Sequence, residues 1–263
     1  MKAHTTTGSE MLFAIEVCQA AGTVAMDYLR QGIVADTKAD GSPVTKADKE
    51  CERLIIDKIV ETFPDDGILG EEHGERRATE GNRRWIIDPI DGTYNYARGI
   101  PIFATLLALE YDGEVVLGVV HAPAMLETFW AEHGRGAFKN GLKTQVSNCN
   151  KVSESMLNFG GANRILQFGF WEGFTKLVAE TKKQRGFGDY LGFSLVFEGK
   201  SEAMIEIEVM PWDLAPMKIL IEESGGRFSD LEGGASIYSG SCLVSNGLVH
   251  DQIETTLLEN KRS

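Results

Sequence analysis

One stretch constrains the fold more than any other, the run W-I-I-D-P-I-D-G-T at residues 85–93. Its apolar start, residues 85–87, predicts a short buried strand. Asp88-Pro89 then predicts a turn, because proline presets φ for the second turn position and cannot extend a strand ladder. The sequence therefore predicts a strand that ends at Ile87, with two carboxylates, Asp88 and Asp91, just beyond it.

This turn offers oxygen ligands and backbone donors close together. In a turn from Asp88 to Asp91 both side chains can face the same side with the Ile90 carbonyl between them, and such hard oxygen donors suit Mg²⁺. A helical turn that begins at Gly92 and Thr93 would point backbone N–H groups at the same place, which is how proteins hold phosphate. The alternative is that both aspartates only cap a turn and a helix.

Two further segments extend the pattern, Gly70-Glu71-Glu72 upstream and Pro211-Trp212-Asp213 downstream. With residues 85–93 they resemble the inositol monophosphatase family of Mg²⁺-dependent, Li⁺-sensitive sugar and polyol phosphatases. The resemblance runs from Lys38 to about Asp230 and includes the downstream motifs P-W-D-L-A and E-E-S-G-G. It implies an α/β fold, namely a layered α+β architecture, the αβαβα sandwich of the inositol monophosphatase and fructose-bisphosphatase type.

The composition of the 263-residue chain disfavours several classes of function. A net charge of −13 disfavours nucleic acid or an anionic membrane as a partner, because no Lys/Arg stripe is present to replace counterions. The four cysteines are scattered without a C-x-x-C pair, which indicates neither a zinc cluster nor a disulfide framework. Neither a signal-peptide core nor an apolar run near about 20 residues is found. We therefore expect no membrane partner and a cytoplasmic location.

The periodicity predicts two halves. Two amphipathic helices come first, and Thr45 with Asp48 has the spacing of a capping box at the start of the second, which gives Asp48 a structural explanation beside any functional one. Asp112-Gly113 predicts a hairpin within an antiparallel sheet, and strands alternate with helices after about Val146. We expect an N-terminal α+β half, residues 1–145, with the main metal corner, and a C-terminal α/β half, residues 146–263, that contributes Asp213 and substrate residues.

Two acidic positions need the family pattern to be assigned. Glu71 and Glu72 are adjacent in an extended segment and point to opposite sides, so only one can face the metal corner, and the resemblance selects Glu71. Asp213 lies in the first turn of a predicted helix, where the helix dipole already favours a carboxylate. Taken alone Asp213 reads as structural; taken with the other carboxylates it is a metal ligand.

The resemblance assigns roles to residues of this chain. Two or three Mg²⁺ ions are implied, together with inhibition by Li⁺. The implied metal ligands are Glu71, Asp88, the Ile90 carbonyl, Asp91 and Asp213. Thr93 and Asp48 polarise the attacking water and form the catalytic set with Glu71, while the backbone N–H groups of Gly92 and Thr93 bind the phosphate.

Substrate choice depends on the segment Arg185-Gly186-Phe187-Gly188-Asp189, where Asp189 resembles the G-D of the histidinol-phosphatase subgroup. L-Histidinol phosphate ends in an ammonium and an imidazole that can be cationic. A carboxylate near the cleft would form an ion pair with this substrate but not with neutral inositol. Glu206 matches the family's substrate-contacting glutamate, and Arg185 would orient one carboxylate. Asp91 and Asp213 join these three as predicted substrate-binding residues. The alternative for Asp189 is a turn or helix cap after Gly188.

The resulting hypothesis is a Mg²⁺-dependent phosphate monoesterase that hydrolyses L-histidinol phosphate to L-histidinol and phosphate in histidine biosynthesis. The second hypothesis, with the same mechanism, is an inositol-1-monophosphatase or another small sugar or polyol phosphatase. The third, from another class, is a non-catalytic binding member of the fold. The family's usual homodimer is implied as the assembly.

Overall fold

The computed structural model describes residues 8–32, 35–37 and 43–259. The chain divides into two compact units, Met1–Leu142 and Lys143–Ser263. Each unit has its own sheet and its own hydrophobic core.

The first unit contains the two predicted amphipathic helices, α1 (Ser9–Gln31) and α2 (Lys46–Thr62), and one short helix, α3 (Thr93–Ala97). α2 begins at the predicted capping box: the Thr45 hydroxyl accepts from the Asp48 N–H, and the Asp48 carboxylate accepts from the Thr45 N–H. This reciprocal pair satisfies two backbone donors that the first helical turn would otherwise leave without partners.

α1 bears on the expectation that no apolar run is long enough to cross a membrane. By length and composition alone this helix could cross a membrane. In the structure, however, one face of α1 is buried in the same core cluster as residues of α2 and of the sheet. The buried positions repeat at helical spacing, as expected for a core helix; they are Met11, Ala14, Val17, Cys18, Ala21 and Ala25.

Among the described residues, the first unit builds an eight-stranded sheet and a separate antiparallel pair, β1 (Ala35–Thr37) with β2 (Pro43–Thr45). The strands of the large sheet are β3 (Gly67–Gly70), β4 (Gly74–Arg76), β5 (Arg83–Asp91), β6 (Ala104–Tyr111), β7 (Glu114–Ala122), β8 (Glu127–Glu132), β9 (Gly136–Lys139) and β10 (Leu142–Lys143). Their order is β10-β9-β8-β7-β6-β5-β3-β4. The predicted hairpin at Asp112-Gly113 joins β6 to β7, whereas β3 pairs with β5 in parallel.

Strand β5 does not end at Ile87, so the prediction that the strand stops before Asp-Pro is wrong. It continues to Asp91 across an irregularity in its pairing with β6: Asp88 pairs with Leu106, and pairing resumes at Asp91 opposite Ala104. Pro89 falls inside this bulge, where the ladder needs no N–H, and bulges are where a sheet tolerates proline. The Pro89 carbonyl accepts from the Thr105 hydroxyl at 2.9 Å.

The second unit is built on a sheet of order β12-β11-β13-β15-β14 in the part of the chain that the structure describes. Its strands are β11 (Met156–Phe159), β12 (Lys183–Arg185), β13 (Ala203–Ile207), β14 (Arg227–Ser229) and β15 (Ser241–Ser245). Its helices are α4 (Ala162–Gln167), α5 (Trp171–Glu180), α6 (Asp189–Phe197), α7 (Pro211–Glu223) and α8 (His250–Leu258). β11 is parallel to β12 and β13, because α-helical crossovers connect these strands.

Candidate metal and phosphate site

Asp88 and Asp91 lie at the end of β5 and are almost fully buried, with 3% and 7% of their surfaces exposed. One carboxylate oxygen of Asp88 lies within 4.8 Å of a carboxylate oxygen of Asp91. The Ile90 N–H donates to Asp88 Oδ1 at 3.0 Å, which fixes the Asp88 side chain within the bulge. Two buried like charges this close are unfavourable unless a cation compensates them or one is protonated. The oxygen donors fit a hard cation such as Mg²⁺.

Thr93 connects this corner to helix α2. Its hydroxyl oxygen lies 2.9 Å from the Ile90 carbonyl oxygen and 3.2 Å from Asp48 Oδ1. A hydroxyl carries one proton, so Thr93 donates to one of these two acceptors at a time. Thr93 is also the first residue of α3, whose N-cap is Gly92 with a left-handed φ of 81°. The helical turn predicted at Gly92 and Thr93 is therefore present.

Asp48 is buried at the start of α2, where its other oxygen, Oδ2, accepts from the Thr45 N–H at 2.7 Å and from the Thr45 hydroxyl at 2.6 Å. Burial raises the pKa of Asp48 to about 6, the hydrogen bonds from Thr45 lower it, and the charges of Glu71 and Glu72 raise it further. The capping role and the contact with Thr93 use different oxygens of one carboxylate. The structural and the functional interpretations of Asp48 are thus compatible.

Glu71 follows β3 directly, and the parallel pairing of β3 with β5 places Gly70 opposite Ile87. The Glu71 N–H donates to the Ile87 carbonyl at 3.3 Å. Because the carboxyl ends of parallel strands meet at one edge of a sheet, Glu71 follows its strand at the same edge where Asp88 follows Ile87. The first unit therefore brings Asp48, Glu71, Asp88, Ile90, Asp91, Gly92 and Thr93 to one end of its sheet.

Glu52 belongs to the same region, and sequence reasoning missed it. It lies one helical turn after Asp48 in α2, its side chain is 0% exposed, and it accepts from the Glu72 N–H at 2.9 Å. A glutamate in the middle of an amphipathic helix normally faces solvent. The only local signal is its i, i+4 spacing from Asp48, which places both side chains on one helix face.

The second unit holds the predicted substrate residues around Glu206, on β13. Burial raises the pKa of Glu206 to about 8, the charges of Asp189 and Asp213 raise it further, and the charge of Arg164 lowers it. The carboxylate packs against Gly160, where a Cβ would lie 2.0 Å from Glu206 Oε2. The second unit thus surrounds one buried carboxyl group with two more acidic side chains.

Arg185 ends β12, and Asp189 begins α6. Asp189 is the first residue of α6, not its cap, since the N-cap is Gly188 and makes no side-chain cap bond. Asp189 has a φ of 54°, a left-handed conformation that costs a non-glycine residue energy and is often found at functional sites. Arg185 is exposed and donates to the Gln184 carbonyl at 2.9 Å. Arg164, which pairs with Glu208 at 3.2 Å, is the cation whose charge lowers the pKa of Glu206, and the orienting role of Arg185 stays a prediction.

Asp213 occupies the predicted first turn of α7, which begins at Pro211. Its Oδ2 accepts from the Met210 N–H at 2.8 Å, so the carboxylate caps the helix start. The structural role that the sequence allowed for Asp213 is therefore present.

The sequence pattern of the inositol monophosphatase family matches residues 8–262. The chain belongs to the inositol monophosphatase family. It is 40% identical to a histidinol-phosphatase of Mycobacterium tuberculosis, over 84% of this chain and 87% of that protein. It is 39% identical to a histidinol-phosphatase of Chlorobaculum parvum, over 90% of this chain and 91% of that protein. Among solved structures, a Thermotoga maritima IMPase superposes with a TM-score of 0.86 at 33% identity, over 95% of this chain and 97% of that one.

Membership in the inositol monophosphatase family confirms the predicted α/β fold class. It also confirms the class of reaction, since the family and the relatives are phosphatases: the protein is an enzyme that hydrolyses phosphoric monoesters. The catalytic hypotheses are thereby favoured over the non-catalytic binding module. The family is metal-dependent, in agreement with the buried acidic corner of the first unit.

Proposed function

We propose that the protein is a Mg²⁺-dependent histidinol-phosphatase of histidine biosynthesis, which hydrolyses L-histidinol phosphate to L-histidinol and inorganic phosphate. The observation that carries this proposal is the pair of Asp189 and Glu206, two carboxyl groups close enough for the charge of one to raise the pKa of the other. An acidic pair suits a substrate whose leaving alcohol carries an ammonium group. The similarity to histidinol-phosphatases of Mycobacterium tuberculosis and Chlorobaculum parvum supports the same substrate.

Mg²⁺ would be held in the first unit by Glu71, Asp88, the Ile90 carbonyl and Asp91, and the ligand role that the resemblance implies for Asp213 stays a prediction. All of these donors are oxygens, and an all-oxygen ligand set favours a hard divalent cation over zinc, which prefers nitrogen and sulfur ligands. The side chains of Asp88 and Asp91, both on β5, are buried. When bound, Mg²⁺ activates water and stabilises the charge that develops on the attacking and leaving oxygens.

Thr93 and Asp48 position and deprotonate the attacking water. The ionised Asp48 carboxylate accepts the Thr93 proton across the 3.2 Å contact, so the Thr93 oxygen is free to accept a proton from water. Asp48 is ionised above its pKa of about 6, which places the active form of this pair at neutral pH and above. The backbone N–H groups of Gly92 and Thr93, at the start of α3, donate to the phosphate oxygens.

Asp189 pairs with the cationic end of the substrate. Glu206 has a pKa of about 8 and is mainly neutral at pH 7 before substrate binds. An ammonium group beside it favours the charged form and lowers that pKa, so Glu206 ionises as the cation arrives. Arg164 is the neighbouring group that already favours the ionised form.

Asp189→Asn tests the substrate assignment. It removes one charge from the pair without changing side-chain volume. We expect kcat/KM for L-histidinol phosphate to fall roughly ten- to a hundredfold, which corresponds to the free energy of one charge-assisted hydrogen bond, about 1.5–3 kcal/mol. The same constant for myo-inositol monophosphate should change little, because that substrate offers no cation. Both constants are measured by release of inorganic phosphate at saturating Mg²⁺.

Asp57→Asn is the matched control, since Asp57 is exposed on α2 and loses the same charge. It should leave both constants unchanged. Equal losses on both substrates in Asp189→Asn would mean that Asp189 shapes the start of α6 and does not recognise the cation.

An inositol monophosphatase is the second candidate, and one observation favours it. A Glu206 that is neutral at pH 7 can both donate to and accept from the hydroxyl groups of a polyol. The Thermotoga maritima IMPase supports the same alternative. The two substrates of the Asp189→Asn experiment separate these candidates.

The homodimer implied by the resemblance and the cytoplasmic location expected from the composition remain predictions. Sedimentation equilibrium of the purified protein tests the first, and fractionation of the source cells tests the second.

A further inference from the structure

Glu52 is a carboxylate buried in the middle of α2, and neither of the proposed chemical steps uses it. Its side chain is fully shielded from solvent. Moving a carboxylate out of water is costly unless hydrogen bonds or charges compensate it. Burial accordingly raises the pKa of Glu52, and a hydrogen bond with His73 lowers it. The contacts of Glu52 should therefore explain why its carboxylate is buried.

Two hydrogen bonds of the Glu52 side chain go to the segment that carries Glu71. Glu52 Oε2 accepts from the Glu72 N–H at 2.9 Å and lies 2.8 Å from His73 Nδ1. The other oxygen, Oε1, is buried and has no hydrogen-bond partner among the described residues. Glu52 therefore binds the chain just after Glu71 and not a neighbouring side chain of its own helix.

Gly70, the residue before Glu71, lies directly against the Glu52 carboxylate. A Cβ at position 70 would lie 1.7 Å from Glu52 Oε1. Gly70 is not among the glycines with positive φ, so its conformation does not require glycine. The missing side chain at this position is explained by the space that Glu52 occupies.

These contacts bracket Glu71. Gly70 lies against Glu52, the Glu71 N–H donates to the Ile87 carbonyl of β5, and the Glu72 N–H donates to Glu52. The backbone on each side of Glu71 is thus fixed to a rigid element, α2 or β5. One helix face positions two groups of the site: Asp48, which contacts Thr93, and Glu52, one turn later.

We infer that Glu52 is a positioning residue that holds the Gly70–His73 segment so that Glu71 presents its carboxylate to the metal ion. This inference rests on the proposed role of Glu71 as a metal ligand. Residues that orient metal ligands through a second layer of hydrogen bonds typically contribute about ten- to a hundredfold to metal affinity.

The test is the affinity for Mn²⁺, a spectroscopic substitute for Mg²⁺, measured by the EPR signal of the free ion with no substrate present. Glu52→Ala should weaken Mn²⁺ binding by roughly ten- to a hundredfold. Glu52→Gln should recover most of the affinity, because its amide oxygen can still accept from the Glu72 N–H. Glu50→Ala is the matched control: Glu50 lies two residues away on α2 and bonds to Tyr28, so Mn²⁺ affinity should not change.

Gly70→Ala tests the same contact from the other side and does not depend on Glu52→Ala folding. Its methyl group must displace the Glu52 carboxylate, so it should also weaken Mn²⁺ binding. In the Gly70→Ala/Glu52→Ala double variant the losses should not add, because both single changes remove one contact. Circular dichroism melting confirms that each variant is folded at the temperature of the titration.

The outcomes separate this inference from the proposed function. If Glu71→Gln weakens Mn²⁺ binding while Glu52→Ala and Gly70→Ala leave it unchanged, Glu52 has no positioning role and the proposed function stands. If Glu71→Gln itself has no effect, the ligand assignment under the proposed function fails. If Glu50→Ala weakens binding as much as Glu52→Ala, the loss reflects the helix as a whole and the positioning role is refuted.

Discussion

Glu206→Gln should change the pH dependence of stability in the second unit. The carboxyl group has a pKa of about 8 in the folded protein, against 4.5 for an ordinary glutamate. Between these values the folded state holds a proton that the unfolded state has lost. Stability contributed by this group is therefore fully present below the ordinary pKa and is lost as pH rises toward the folded pKa.

The magnitude follows from the difference between the two pKa values. A gap of roughly 3.5 pKa units corresponds to about 5 kcal/mol, since one unit is about 1.4 kcal/mol, and this is an upper estimate for so buried a group. Glutamine cannot ionise, so Glu206→Gln should remove this loss while keeping the side-chain volume. The variant should resemble wild type near about pH 4 and be more stable by several kcal/mol near about pH 8.5.

Urea unfolding at a series of pH values, with chelator present, measures this difference. The quantity of interest is the free energy of unfolding of the variant minus that of wild type, because other titrating groups cancel in it. Glu180→Gln, on the exposed end of α5, is the control for the loss of one carboxylate from the protein surface. A flat difference for Glu206→Gln, or one that falls with pH, would refute the argument that Glu206 is kept neutral by burial and by its acidic neighbours.

Three further predictions concern the metal corner. Asp91→Asn should remove most phosphate release yet leave the fold intact, and in chelator it should unfold no more easily than wild type, because it relieves repulsion from Asp88; near-normal turnover at saturating Mg²⁺ would contradict its role as a ligand. Chelator should abolish activity, Mg²⁺ should restore it, and Ca²⁺ should compete without supporting turnover, because the larger ion accepts looser geometry; activity that persists in excess chelator would refute metal dependence. Thr93→Ala should lower kcat by about 10²- to 10⁴-fold while Thr93→Ser retains most of it, since serine keeps the hydroxyl that contacts Asp48; equal rates in the two variants would exclude the proton transfer.

The parts of the fold that the sequence predicted well depend on local signals. The capping box of Thr45 and Asp48, the Asp112-Gly113 hairpin and the amphipathic spacing of α1 and α2 each lie within a few residues of the feature they specify. Strand β5 was predicted too short because a proline usually ends a ladder, and only the pairing with β6 reveals the bulge that accommodates Pro89.

The missed residues depend on contacts between segments far apart in the chain. From the sequence alone, Glu52 is predicted to face solvent on α2. In the structure it packs against the end of β3, where Gly70, 18 residues later in the chain, leaves room for its carboxylate. Arg164 gives no signal in the sequence, because its charge acts on Glu206 only once the second unit has folded. The buried pKa values of Asp48 and Glu206 likewise exist only once the surrounding core has formed.

The most direct measurement is the ratio of kcat/KM for L-histidinol phosphate to kcat/KM for myo-inositol monophosphate, determined on the wild-type enzyme from inorganic phosphate release at saturating Mg²⁺. A cation paired with Asp189 should favour L-histidinol phosphate by roughly ten- to a hundredfold. A ratio below one would assign the enzyme to inositol phosphates, and failure to release phosphate from either substrate would contradict the substrate assignment as a whole.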